Sequence, residues 1–192
     1  MIYIKDDFLD INLIDLLRTN KDEFQEIKTP GKSFWVKEVP APIMQIIKFE
    51  LEDLEGNRIE PILGFMREAK EGQDRDWRIH NDSIIEGQQP DRACVLYISD
   101  CKQEGLNGTA FWEHKKHGDR FENVSLAEQN RLLNEDANDL DLWDLRSIIG
   151  HKKNRLISYP CNYFHSKYPN EFVESRIVFV MFYKIKKRKK TN

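Results

Sequence analysis

The chain has 192 residues, 40% hydrophobic and 33% charged, with a formal net charge of −3. That length suits a single domain, 1–192, able to bury a core, and the composition is that of an ordinary folded protein on the polar side. No run of about 18 apolar residues is present to span a bilayer, and "MIYIKDDFLD" meets acidic residues too early for a secretory leader, so the expected location is cytoplasmic.

The three cysteines, Cys94, Cys101 and Cys161, lack a C-x-x-C and argue against a disulfide framework. Cys94 and Cys161 lie in apolar runs and read as small buried hydrophobes. The C-terminal "KIKKRKKTN" holds six basic residues, and without them the formal −3 becomes −9. A basic end can touch nucleic acid or an acidic partner, but is more often a solvated, frayed terminus. The acidic body argues against an extended nucleic-acid surface elsewhere.

In chain order, "IYIKDDFL" predicts a short strand entering a helix capped by Asp10, with Ile11, Ile14 and Leu17 as its apolar stripe. "TPGKSFWVKEVPAP" is rich in turn signals around a short apolar piece, Phe34 to Val36. Pro42 opens a helix from Ile43 to about Leu54, stopped by Gly56-Asn57. These residues, 1–60, form an N-terminal support. From Pro61 the texture changes to short apolar or alternating runs punctuated by Gly, Pro, Asn and Asp. "ILGFMREA", "DWRIHND", "ACVLYISD", "GTAFWEH", "NRLISYPC" and "SRIVFVMFYKI" predict a β-sandwich or barrel over 61–184, with the helices on one face. A basic tail, 185–192, follows.

One segment interrupts the strands. Ser125 and Glu128 make a capping-box pattern ahead of "AEQNRLLN", predicting a short helix. The polar "NEDANDLDLWDL" then leads back to strands. An insertion this long is either a lid or substrate wall, or a surface elaboration.

"WRIHND" holds His80-x-Asp82. Residues two apart on a strand face the same side, so imidazole and carboxylate would reach one point. That donor pair suits a divalent first-row metal but needs a third ligand. His114 and His117, in "EHKKHGDR", read as exposed turn residues, and His151 in "GHKKN" as turn-like. His165 follows "RLISYP" and "CNYF" and precedes an apolar strand, which makes it the better ligand. Arg176 heads that strand, where a guanidinium is costly unless it binds an anion, and its planar fork suits a carboxylate.

These features follow one another as they do in a known family. "RIHND", "ACVLYISD", "NGTAFW", "NRLISYP…FH" and "SRIVFVMFY", preceded by "IYIKDDFL…LIDLLR", resemble the Fe(II)/2-oxoglutarate-dependent oxygenase superfamily, and its prolyl-hydroxylase-like members in particular. The resemblance implies a mainly β fold with flanking helices, built on a double-stranded β-helix or jelly roll. It implies that His80, Asp82 and His165 are catalytic and bind Fe(II), and that Arg176 binds the distal carboxylate of 2-oxoglutarate. With O2, that cosubstrate would give succinate and CO2 while a C–H bond is hydroxylated. The family's second 2-oxoglutarate contact is less plain; Tyr97 is the candidate, with a core tyrosine as the alternative. Two family glycines are replaced, by Asn107 and Asn154. Arg78 would line the substrate opening or pair with Asp76, and Trp112 and Trp143 would stack on substrate or sit in the core.

The expected function is a dioxygenase that hydroxylates a peptide or small molecule. Two alternatives remain. An oxidative nucleic-acid demethylase of the same superfamily usually carries a second arginine soon after the first on the last strand, where this chain has none before Arg188. A non-catalytic jelly-roll binding module would keep the fold without turnover.

Overall fold

Two antiparallel sheets face each other, and their strands explain the texture of the sequence. In the computed structural model the described residues are 1–19, 23–29, 32–69, 76–102, 107–122, 125–170 and 175–186. Strands β1 (Tyr3–Lys5), β2 (Gln25–Thr29), β3 (Lys32–Lys37), β4 (Arg58–Ala69), β5 (Arg92–Tyr97), β8 (Leu156–Pro160) and β10 (Arg176–Lys186) form a seven-stranded sheet in the order β1-β8-β5-β10-β4-β3-β2. Strands β6 (Gly108–His114), β7 (Trp143–Gly150) and β9 (His165–Tyr168) form a smaller sheet, β7-β6-β9. The architecture is the expected mainly β jelly roll with flanking helices.

Strands β5 and β10 are apolar on both faces because both faces are covered. Ala93, Val95 and Tyr97 of β5, with Val178 and Phe182 of β10, point between the sheets. Cys94 and Leu96, with Phe179, Met181 and Tyr183, point the other way, onto helices α1 (Ile11–Thr19) and α2 (Ala41–Glu55). Those helices contribute Ile14, Leu17, Ile43, Ile47 and Leu51 to that outer core. A third apolar cluster lies behind the small sheet, where Ile79, Trp112, Trp143 and Phe164 meet Leu132 of helix α3 (Leu126–Asn134).

Helix boundaries follow from capping chemistry. Asp10 Oδ1 accepts the Asn12 amide at 2.8 Å, and Ser125 Oγ accepts the Glu128 amide at 3.2 Å, as the capping-box pattern predicts. Gly56 ends α2 in the left-handed conformation, φ 64°. Ile11 departs from the expected stripe: it lies at the first turn of α1 and is 49% exposed. The apolar piece at Phe34 is in fact a full strand, β3, paired with β2 as a hairpin that extends the large sheet. Turn signals on both sides and a partner strand, β2, that carries Glu26 and Lys28 hide it in the sequence.

Strand β4 begins at Arg58, ahead of Pro61. The proline is accommodated because the β4–β10 register slips there, Phe182 pairing with Leu63 and Tyr183 with Pro61; a bulge needs no amide donor from that residue. Strand β10 continues to Lys186, and the rest of the basic tail lies outside the described residues. Among the described residues, no helix is long and apolar enough to cross a membrane.

Helix α2 is fastened to the sheet by a buried ionic knot. Glu55, at its last turn, lies 2.8 Å from Arg92 Nε and accepts from Ser158 Oγ at 2.9 Å and from the Tyr183 hydroxyl at 2.6 Å. The two charged side chains are only 8% and 3% exposed. Removing one member strands the other in the core. Glu55→Ala is therefore expected to destabilise the protein by ~3–5 kcal/mol, with Glu55→Gln losing less. Urea unfolding measures this, and an unchanged midpoint for Glu55→Ala would show that the knot does not hold the helix.

Candidate metal centre

The segment carrying His80 and Asp82 is not the regular strand its alternation predicts. Only His80 makes a ladder bridge: its amide donates to the His165 carbonyl at 3.0 Å, and its carbonyl accepts the His165 amide at 2.8 Å. Arg78, with φ 48°, takes the chain out of the extended conformation just before it. Two residues on, the Asp82 amide donates to the Cys161 carbonyl at 2.8 Å. These bonds suffice to bring the segment along the open edge of β9 and to turn both side chains inward.

The result is a tight cluster. Asp82 Oδ1 lies 3.7 Å from His80 Nε2, and Asp82 Oδ2 lies 3.2 Å from His165 Nε2. One ligand-type atom from each of His80, Asp82 and His165 falls within 4.8 Å of the other two. His80 Nδ1 meets the Arg78 carbonyl at 2.7 Å, and His165 Nδ1 meets the Tyr163 carbonyl at 3.0 Å. A carbonyl only accepts, so each Nδ1 carries the hydrogen. With hydrogen on Nδ1, each ring turns its Nε2 to the side of Asp82, where the neutral form would offer a lone pair to a metal, as metal-binding histidines do.

The electrostatics agree with the geometry. Burial, reinforced by the neighbouring His165, pulls His80 down to about 4 despite the opposing pull of Asp82. Burial would lower His165 too, but the Asp82 carboxylate and its hydrogen bond hold it above the ordinary histidine value. Burial pushes Asp82 up, and the charge of His165 overcomes it, leaving the carboxyl below its ordinary range. The attraction that keeps a proton on His165 is the one that would keep a cation. Two imidazole nitrogens and one carboxylate on one side of a point fit a first-row divalent ion with open positions left.

Arg176 heads β10 and faces between the sheets, its guanidinium 5.3 Å from the centre of the Tyr97 ring. Tyr97 is fully buried, and its direction is settled by the register: it lies on the inner face, opposite Val178. Its hydroxyl lies 2.9 Å from Thr109 Oγ1. Thr109 itself lines a cavity of about 1210 Å3 together with His80, Asp82, His165 and Arg176. The outer wall of that cavity comes from the β2–β3 hairpin, including Ile27 and Phe34, and from Arg67 on β4, stacked over Phe34 at 4.7 Å. Sequence reasoning missed Thr109 and Arg67. The small polar residue after Asn107-Gly108 was a usable signal for the first; the second needed the hairpin.

Other candidates belong to the scaffold. His114 and His117 are not exposed turn residues: His114 is 3% exposed, its Nε2 lying 3.3 Å from Asp136, and His117 Nε2 lies 3.2 Å from Glu128. The cause is the α3 insertion, which folds back over the end of β6. His151 is 2% exposed and stacked on Tyr97. Trp112 and Trp143 are core residues. Arg78 pairs with Asp76, its Nε 3.8 Å away, and lines a smaller cavity beside His80.

Comparison with solved structures identifies the architecture. HygX of Streptomyces hygroscopicus, solved with nickel, 2-oxoglutarate and hygromycin B bound, aligns over 95% of this chain and 82% of its own at TM-score 0.63 and 12% identity. The chain has the fold of the iron/2-oxoglutarate oxygenases. A prolyl-4-hydroxylase of Pseudomonas putida aligns over 97% of this chain and 93% of its own, at TM-score 0.54 and 10% identity. The α-ketoglutarate-dependent epimerase SnoN of nogalamycin biosynthesis aligns over 95% and 78%, at TM-score 0.61 and 11% identity. No family model and no curated protein sequence matches the chain.

If the three side chains form one metal site, His80→Ala, Asp82→Ala and His165→Ala each weaken Ni(II) binding by more than the ~10–100-fold that loss of an outer partner costs. Calorimetric titration of the metal-free protein measures this. Asp82→Glu should fail as well, because one methylene misplaces the carboxylate. Undiminished Ni(II) affinity in any alanine variant would remove that residue from the site.

Proposed function

We propose that the protein is an Fe(II)- and 2-oxoglutarate-dependent dioxygenase that hydroxylates a C–H bond of a small molecule or peptide. The observation that carries this reading is the convergence of His80, Asp82 and His165 on one point at the wall of a cavity that also holds Arg176. His80, Asp82 and His165 would hold the iron, and Arg176 would take the distal carboxylate of 2-oxoglutarate through its planar fork. Together with O2, the bound iron and 2-oxoglutarate would supply the oxidising power, with succinate and CO2 as coproducts.

The chain's own residues do the rest. The Nδ1–H bonds to Arg78 and Tyr163 keep both imidazoles aimed and unable to swing. Burial keeps the Tyr97 phenol neutral, raising it above its ordinary value against the lowering pull of Arg176 and of the Thr109 hydrogen bond. Tyr97 therefore offers a hydroxyl rather than a charge beside Arg176, and acts on the cosubstrate through Thr109, which reaches the cavity. Val95, Val178 and Val180 line the same space and keep its floor apolar.

The cavity exceeds the ~300–1,000 Å3 of ordinary ligand sites, so it has room for a substrate beside the cosubstrate. Its outer wall offers Phe24, Ile27 and Phe34 as apolar contacts and Arg67 as a polar one. Hygromycin B in HygX, by its structure's own description, is a small-molecule ligand in a protein of this fold, which favours the small-molecule reading.

The deciding experiment is anaerobic. Fe(II) and then 2-oxoglutarate are added to the metal-free protein and the visible spectrum is recorded. A weak charge-transfer band is expected in the wild type and not in His165→Ala. Arg176→Ala should weaken 2-oxoglutarate binding by ~2–5 kcal/mol, the usual cost of truncating one side of a desolvated charge pair. Metal binding without any band would exclude the shared site and leave a binding module; normal 2-oxoglutarate use by Arg176→Ala would exclude the cosubstrate assignment.

A further inference from the structure

The insertion between β6 and β7 ends in two short helical turns, Asp136–Asn138 and Leu140–Leu142. The first of these lies against the segment that carries His80. Two successive amides of that segment point at it: the Ile79 amide donates to the Ala137 carbonyl at 2.9 Å, and the Arg78 amide donates to Asn138 Oδ1 at 2.8 Å. The segment is thus held between β9 on one side and this turn on the other.

The turn is itself firmly seated. Trp143 Nε1 donates to the Asp136 carbonyl at 2.8 Å, and the Asp139 amide closes back on the same carbonyl at 3.0 Å. The Asp136 carboxylate, 7% exposed, lies 3.1 Å from Arg131 of α3 and 3.3 Å from His114 at the end of β6. The His114 pairing thus gives the insertion a fixed base.

What the turn holds in place is unusual backbone. Arg78 sits in the left-handed region at φ 48°, a conformation unfavourable for a residue with a Cβ. That conformation aims the Arg78 carbonyl at His80 Nδ1, 2.7 Å away. If Arg78 relaxed toward extended backbone, the carbonyl would rotate off the ring and the imidazole would be free to take its other tautomer, with hydrogen on Nε2.

We infer that Asn138 is a positioning residue: by capping the Arg78 amide it holds the left-handed turn whose carbonyl fixes His80 with its Nε2 lone pair facing Asp82 and His165. This rests on the reading of His80 as a metal ligand, and it gives the insertion a task as a buttress of the metal centre. Asn138 is on the surface, so its side chain can be changed without opening the core.

The test compares wild type, Asn138→Leu, which cannot accept the amide, and Asn138→Asp, which can. Nitrogen-15 NMR of the metal-free protein reads the His80 tautomer, Ni(II) titration reads affinity, and thermal unfolding checks the fold. Asn138→Leu is expected to shift His80 toward the Nε2–H form and to bind Ni(II) about tenfold more weakly, as loss of an outer partner does. Its unfolding midpoint should stay near that of wild type, and Asn138→Asp should keep the wild-type tautomer. A wild-type tautomer and wild-type Ni(II) affinity in Asn138→Leu would overturn the inference. A tautomer that follows Asn138 in a wild type that binds no Ni(II) would support the positioning role and overturn the metal-centre reading instead.

Discussion

Two backbone hydrogen bonds between His80 and His165 hold the candidate centre together. The residues are far apart in sequence, and nothing local draws them to one another. Their reciprocal amide–carbonyl bridge brings the ring centroids to 4.4 Å. Strand β9, which carries His165, is hydrogen-bonded on its other edge to β6, with Phe111 opposite His165. Strand β6 is in turn paired along its length with β7. The positions of the clustered side chains are thus inherited from a backbone ladder, which is far less adjustable than side-chain packing. A metal site needs that rigidity, because donor atoms displaced by a few tenths of an ångström no longer fit one ion.

The large sheet solves a different problem, that of keeping a charge usable inside a protein. Two of its buried or half-buried arginines, Arg92 and Arg176, lie on adjacent strands and face opposite ways. Arg92 faces the helices, where Glu55, the hydroxyl and carbonyl oxygens of Ser158 and the Met1 carbonyl saturate it. Its role is structural, and no ligand can reach it. Arg176 faces between the sheets and opens on the cavity. The alternation along each β-strand decides which kind of arginine it carries. Position 176 shares its face with Val178 and Val180, the residues that line the cavity floor.

The sequence pattern made the cluster of His80, Asp82 and His165 legible because histidine, aspartate and a strand-heading arginine are each expensive to bury without a purpose. Capping residues Asp10, Ser125 and Gly56 were legible because they act on neighbours two to four positions away. What stayed hidden is non-local. The β2–β3 hairpin carries charges on one side and reads as loop until it is seen pairing with β4. His114 and His117 look exposed because lysines and glycine surround them, yet α3 covers them from a distance. The His80 segment reads as a strand, but the left-handed Arg78 follows from a hydrogen bond to a residue sixty positions on. Tyr97 could be oriented only from the register of β5 on β10.

The two positions where the resemblance leads to glycine and this chain has asparagine argue the same way. Asn154 has φ 63°, the left-handed region that glycine enters freely. Asparagine tolerates that region better than other residues, and here its side chain offsets the remaining cost. Asn154 Oδ1 accepts the Leu9 amide at 2.9 Å, while Nδ2 donates to the Leu9 carbonyl at 2.7 Å. A glycine would make the turn but not the bonds. The substitution therefore ties the start of α1 to the loop entering β8, joining the N-terminal support to the sheet that carries Tyr159 beside His165. At the neighbouring replacement the sheet is stricter. Asn107 is allowed a side chain, which donates to Cys101 Sγ at 3.1 Å. At Gly108 a Cβ would lie 2.0 Å from the Ile149 carbonyl oxygen. The glycine that persists is the one whose Cβ would break the β6–β7 ladder, and that ladder supports Thr109, Phe111 and, through β9, His165.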